Sequence, residues 1–94
     1  MPAYLIANYD VTDADGFVDY QQNAAPIMNG GKLLVLDAAS SNKEGDSGHQ
    51  TVVIEYPTRE AAEAAYHSTE YQAVVGKRHA STANGRLVIV DGFG

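Results

Sequence analysis

The stretch from Thr51 to Gln72 constrains this chain most. It reads Thr-Val-Val-Ile-Glu-Tyr-Pro-Thr, then Arg-Glu-Ala-Ala-Glu-Ala-Ala-Tyr-His-Ser-Thr-Glu-Tyr-Gln. The β-branched run predicts a strand from Gln50 to Tyr56, and Pro57, with no amide for a ladder, ends it. Thr58 is placed to cap a helix, because its side-chain oxygen accepts from the free amides of a first turn. That alanine-rich helix should run to about His67. Ser68, helped by Glu70 against the helix dipole, should then restart a second piece from Thr69 to about His79.

Around this stretch the rest of the chain falls into order. Ala3 to Asp10 is a strand with two phases, Tyr4, Ile6, Asn8, Asp10 and Leu5, Ala7, Tyr9. Thr12 or Asp13 caps a helix from Ala14 to about Met28, with Phe17, Tyr20 or Gln21, Ala24 and Ile27 or Met28 at helical spacing. Pro26 should kink or end it, and Gly30-Gly31 supplies the positive φ of a helix stop. Lys32 to Asp37 is a second strand, Ala38 to Gly48 a polar loop expected to be the most mobile segment. Asn84-Gly85 reads as a turn before a last strand, Arg86 to Asp91. A short internal repeat fits this order: Asn8-Tyr9, Thr12, Tyr20 against Glu55-Tyr56, Thr58, Tyr66. Two strand-Thr-helix copies predict an α+β, ferredoxin-like βαββαβ fold with a four-stranded antiparallel sheet and a second helix broken near Ser68.

At 94 residues the chain makes one domain, residues 1–94. A chain so short hides only about 60–65% of its unfolded surface, so its own core leaves little margin. Two helices cover one face of a four-stranded sheet, and the strands should then alternate apolar and polar. They do not: Val52-Val53-Ile54, Leu33 to Leu36 and Leu87 to Val90 are continuous apolar runs. Leaving four such side chains in water forgoes roughly 6–12 kcal/mol, comparable to the stability of a small domain. A second copy of the chain on the open sheet face, a homodimer, is the expected cover.

Charge and composition exclude several classes. A net charge of −6 argues against nucleic-acid and anionic-membrane partners. The absence of cysteine leaves no disulfide, thiolate nucleophile or Cys-ligated metal. The N-terminus lacks a signal-peptide pattern, and no apolar run nears the roughly 18 residues that span a bilayer, so a cytoplasmic location is expected.

Several residues are candidates for chemistry, each with a plainer alternative. Asn8 and Glu55 hold matching places in the repeat, on strands expected to be central neighbours. Glu55 is either a pocket carboxylate acting as general base or a structural hydrogen-bonding group near a strand end. Tyr71, Val74, Val75, Arg78 and His79 form one helical stripe. Arg78 there either holds a substrate carboxylate or enolate, or pairs with Glu55 or Asp10 and the helix C-terminal dipole. His67 is a candidate base; a triad with Ser68 and Asp10 has no positioning motif to support it. Asp10, Asp13 and Asp15 resemble part of a calcium loop but lack its terminal Glu, and the three histidines are too scattered for zinc, so no metal site is expected. Six tyrosines suit either an aromatic-ligand pocket or a core rim and interface.

Nearly the whole chain resembles the DUF1330 family of the dimeric α+β barrel superfamily. The resemblance is carried by Asp10 to Asp13, Gly30-Gly31-Lys32, Glu44-Gly45-Asp46, Val53 to Pro57, Ala65 to Ser68 with Glu70-Tyr71, and Arg78. It implies a ferredoxin-like protomer whose sheet packs on a partner's sheet. It implies no single activity, since related families include cofactor-free monooxygenases, lactone isomerases and haem-degrading enzymes. Two positions depart from the family pattern. Ala65 stands where Trp is usual, and Asp37-Ala38-Ala39 stands where Arg-Gly-Gly is common, which counts against an anion site on that arginine. The reading is a small dimeric protein without a tightly bound cofactor, binding an apolar or aromatic acid between sheet and helices. Either it only binds such an acid or it acts on it as a cofactor-independent monooxygenase or isomerase; the alternative is a non-enzymatic regulatory or structural dimer. Glu55 and His67 are the candidate catalytic groups, and Asn8, Tyr66, Tyr71 and Arg78 the candidate ligand-binding ones.

Overall fold

The computed structural model of the protein describes residues 1–28 and 30–93. Four strands, β1 (Ala3–Val11), β2 (Lys32–Asp37), β3 (Gln50–Tyr56) and β4 (Thr82–Asp91), form one sheet in the order β2-β3-β1-β4. Every neighbouring pair is antiparallel. The helices α1 (Ala14–Ala24), α2 (Arg59–His67) and α3 (Thr69–Ser81) complete a βαββαβ fold of ferredoxin-like type.

Local chemistry sets the element ends. The Asp13 carboxylate accepts from the Gly16 amide at the start of α1, and the Thr58 hydroxyl accepts from the Ala61 amide at the start of α2. Ser68 makes the break between α2 and α3. Its extended backbone ends one helix, and its hydroxyl accepts from the Tyr71 amide to begin the next. The helix expected to reach Met28 stops at Ala24 and tightens into a 3-10 turn, Ala25–Ile27, because Pro26 has no amide to continue the α ladder.

The continuous apolar runs divide between two faces. Leu5, Ala7 and Tyr9 are buried toward the helices, opposite Ile54, Val52 and Gln50. They pack with Phe17, Tyr56, Ala62 and Ala65. Tyr4, Ile6, Val53, Val88 and Val90 share the other face, which none of the described helices covers. On β2 a register shift between Leu33 and Val35 lets Leu33 and Leu36 both face the helix side, paired with Ile54 and Val52.

Two expectations are corrected. Asn84-Gly85 is not a turn: β4 begins at Thr82 and runs through both residues. Asn84 takes a left-handed φ of 56°, and the pairing to β1 shifts between Asn8 and Asp10, so the Asn-Gly signal marks a bulge. The loop between β2 and β3 is also tied down rather than free. The Asn8 side chain donates to the Gly48 carbonyl at 3.0 Å and accepts from the Gly48 amide at 2.6 Å. Asn84 and Arg86 both donate to the Asp46 carbonyl, and the Ser40 and Thr51 hydroxyls bond at 2.6 Å.

Candidate functional site

A cavity of about 170 Å³ opens between the sheet and α1. The phase of β1 supplies Leu5, Ala7 and Tyr9 as its floor, while α1 turns Phe17, Tyr20 and Gln21 inward at helical spacing. The strand face adds Val52, Ile54 and Tyr56, and the β2 bulge adds Leu33 and Leu36. The volume is close to that of an apolar protein cavity that holds one benzene-sized ring. Ala65 also lines it and is buried, so its small side chain leaves open a space that a large one would fill.

Polar groups gather at one end of this chamber. Arg78, 8% exposed, donates from Nη1 to the Tyr71 hydroxyl at 2.9 Å. The Tyr71 hydroxyl is 2.7 Å from that of Tyr20. The guanidinium carbon lies 5.7 Å from the Tyr9 ring centre, within cation–π range. Tyr66 packs against Tyr71 with ring centres 5.6 Å apart, and Phe17 against Tyr20 at 5.8 Å. Among the described residues Arg78 forms no salt bridge, the ion pairs being His49–Asp10, Arg59–Asp91 and Lys77–Asp19. A buried guanidinium without a counter-charge is costly, which marks this one as a candidate to hold an anion.

Burial also sets the state of the hydroxyls. It drives the Tyr71 phenol far above the ordinary tyrosine range, with Tyr20 nearby adding to the rise and Arg78 opposing it. Tyr9 is pushed up to about 12, again chiefly by burial and then by Tyr20, against Arg78. Tyr56 is raised by burial and by Tyr20. At neutral pH these three are therefore neutral hydroxyls. With Arg78, Tyr71 can hold a carboxylate, phenolate or enolate oxygen, but neither is a base.

Of the residues singled out in the sequence, Tyr66, Tyr71 and Arg78 meet at this cavity. Glu55 and Asn8 do not. They occupy matching places in the repeat, and antiparallel pairing sends matching places to opposite ends: Asn8 faces Thr51 and Glu55 faces Tyr4. That separates them by about 13 Å, four residues of strand. Both also lie on the sheet face away from the helices. Glu55 accepts from the Tyr4 hydroxyl at 3.3 Å, and Asn8 holds Gly48 and Thr51. A carboxylate lining the cavity as general base is thereby corrected, as is an Arg78–Glu55 pair.

His67 is exposed, one residue past Tyr66, so the helix turns it outward while Tyr66 faces in. Its ring meets Tyr66 edge-on at 5.1 Å, outside the cavity lining. The partners drawn for a triad are engaged elsewhere, Asp10 with His49 and Ser68 as a cap. Asp13 is likewise a cap rather than a calcium ligand. The sequence offered Tyr9, Tyr20 and Tyr56 only among six tyrosines suited to a pocket or a core rim, and they do line the cavity; Leu33 and Leu36 were missed. The inward phase of β1 and the spacing of α1 point to Tyr9 and Tyr20; the β2 bulge behind Leu33 and Leu36 leaves no mark in the sequence.

The fold and this chamber define a ferredoxin-like α+β protein with a ligand-sized space between sheet and helices. Solved structures share that fold across 99% of the chain. A protein of unknown function from Rhodopseudomonas palustris superposes with a TM-score of 0.76 at 16% identity, over 83% of its own length. A dabb family protein with a ferredoxin-like fold from Mesorhizobium loti gives 0.72 at 12% over 98% of its length. SnoaB, a cofactor-independent oxygenase from Streptomyces nogalater, gives 0.68 at 11% over 94%. Likeness at these identities establishes the fold alone. The chain belongs to the DUF1330 family, described as a domain of unknown function, whose model matches residues 2–93. No curated protein matches it significantly.

Proposed function

We propose that the protein binds a small apolar or aromatic acid in the chamber between sheet and helices, with the acidic oxygens on Arg78 and the Tyr71 hydroxyl. One observation carries this reading: a nearly buried arginine without a carboxylate partner among the described residues, at the end of an apolar cavity. The apolar walls would take a single ring, and the charge-assisted bond would fix its orientation.

The same arrangement supports a reaction reading. An oxygen that becomes an enolate or phenolate would gain charge beside Arg78, which favours enolisation and hence isomerisation or attack on dioxygen without a cofactor. The fold likeness to SnoaB, a cofactor-independent oxygenase, agrees with that class. The proton would have to leave to solvent or to a group on the ligand, since the cavity lining contains no carboxylate or imidazole among the described residues.

A thermal-shift screen of aromatic carboxylates, phenols and enolisable ketones tests the site. Wild type should be stabilised by at least one acid. Arg78→Ala should lose that shift, and Ala65→Phe should lose it by filling the chamber. An acid that stabilises all three proteins equally sinks the assignment, and no hits at all favour a non-enzymatic dimer.

We also infer a homodimer through the uncovered sheet face. Tyr4, Ile6, Val53, Val88 and Val90 form an apolar surface there, Val88 being 51% exposed, and a second copy would bury it symmetrically.

A further inference from the structure

The apolar wall of the chamber continues out to the edge of the sheet. Leu33 and Leu36 line it from β2, yet they are 44% and 53% exposed, and every residue of that edge strand is exposed. Residues three apart on a regular strand stand on opposite faces. Here the register shift between Leu33 and Val35 sets both leucines on the helix side, beside Ile54 and Val52. Leucines so placed keep apolar surface in water that an apolar group would gain by covering. The homodimer proposed above would not cover them, because it uses the opposite face of the sheet.

The chamber also has a direction. Its polar end, Arg78, lies over the Tyr9 ring of β1. Because β3 stands between β1 and β2, the leucines are two strand spacings away, about 10 Å across the sheet. Ile27 and Met28 add apolar surface to the lining near the start of β2, where the Gly31 amide donates to the Met28 carbonyl at 3.0 Å. Among the described residues Arg78 is the sole charged side chain in the lining, so the β2 end offers no partner for a second ionic group. One ring oriented by Arg78 fills the enclosed space of about 170 Å³, and a substituent on its far side would emerge over Leu33 and Leu36.

We propose that the ligand is an alkyl-substituted aromatic acid, its acidic oxygens on Arg78 and Tyr71 and its alkyl chain lying across Leu33 and Leu36. The proposal rests on the function proposed above and adds the chain.

Calorimetry with benzoate, 4-butylbenzoate and 4-hexylbenzoate separates the acid from the chain. In wild type each methylene should tighten binding about two- to fourfold, fourfold being the gain for a methylene removed fully from water. Arg78→Gln should weaken all three acids by a common factor and keep the gain per methylene. Leu36→Asn should remove most of that gain. Leu34→Asn should keep it, since Leu34 is as exposed as Leu33, at 44%, but lies outside the chamber lining. A flat wild-type series overturns the chain, as does a gain that Leu36→Asn retains or that Leu34→Asn removes equally; benzoate binding that depends on Arg78 then leaves the acid reading standing. Binding that ignores Arg78→Gln sinks the acid reading and the ligand class with it, and so does a failure of all three acids to bind. Sedimentation of Leu36→Asn should match wild type. Loss of a wild-type dimer in that variant assigns the leucines to a subunit interface and overturns the chain as well.

Discussion

At the scale of single residues, the chemistry concentrates in one guanidinium and the hydroxyls around it. Arg78 is buried and hydrogen-bonded, yet no acid cancels its charge among the described residues. The tyrosines near it carry their own signature. Tyr9, Tyr56 and Tyr71 all have raised pKa values, with burial the leading cause. A phenol that stays neutral when folded but ionises when unfolded contributes its full stability below the unfolded value near 10. That contribution is lost as pH rises toward the folded value. Stability should therefore fall above about pH 10, by up to about 1.4 kcal/mol per pH unit for each such tyrosine. Ultraviolet titration at 25 °C should show these phenols ionising late and together with unfolding. Early, reversible ionisation of all six would contradict the burial.

Among the elements, the break at Ser68 organises the site. If α2 and α3 were one straight helix, Tyr66 and Tyr71 would lie about 140° apart around its axis. The extended Ser68 backbone resets the phase, and both rings reach the cavity. Two ties then join α3 to α1: the Tyr20–Tyr71 hydroxyl pair, and Lys77 to Asp19 at 2.7 Å. Ser68→Ala removes the hydroxyl that caps Tyr71 and should cost about 1 kcal/mol. For a domain of this size that is a melting-temperature loss of about 4–8 °C. It should also weaken any acid that binds at Arg78, because Tyr71 lies in the first turn of α3. A variant with unchanged melting and unchanged binding would remove the cap from this account.

For the whole molecule, the sheet separates two tasks. One face, with Leu5, Ala7 and Tyr9, builds core and chamber; the other, with Ile6, Val53 and Val88, is apolar without a covering helix. Val53→Asp places a charge on that second face, so sedimentation should show wild type as a dimer and the variant as a folded monomer at micromolar concentration. Far-ultraviolet dichroism confirms that the variant keeps its secondary structure. A monomeric wild type would discard the pairing.

What the sequence determined by itself is local. Pro57, Thr58, Ser68 and the β-branched runs act through their own backbones and near neighbours, so β2, β3 and the break between α2 and α3 are legible without a fold. Asn84-Gly85 is the instructive exception. A left-handed Asn suits a turn and a bulge equally, and only the pairing of β4 with β1 chose the bulge. Tertiary structure alone decided the membership of the site. Antiparallel register carried Glu55 and Asn8 to the far side of the sheet, while the bulge in β2 and the reset at Ser68 brought Leu33, Leu36, Tyr66 and Tyr71 to the side where Arg78 lies buried. Residues distant along the chain meet only through strand pairing and helix packing, and a one-residue shift in strand register reverses the face on which a side chain stands.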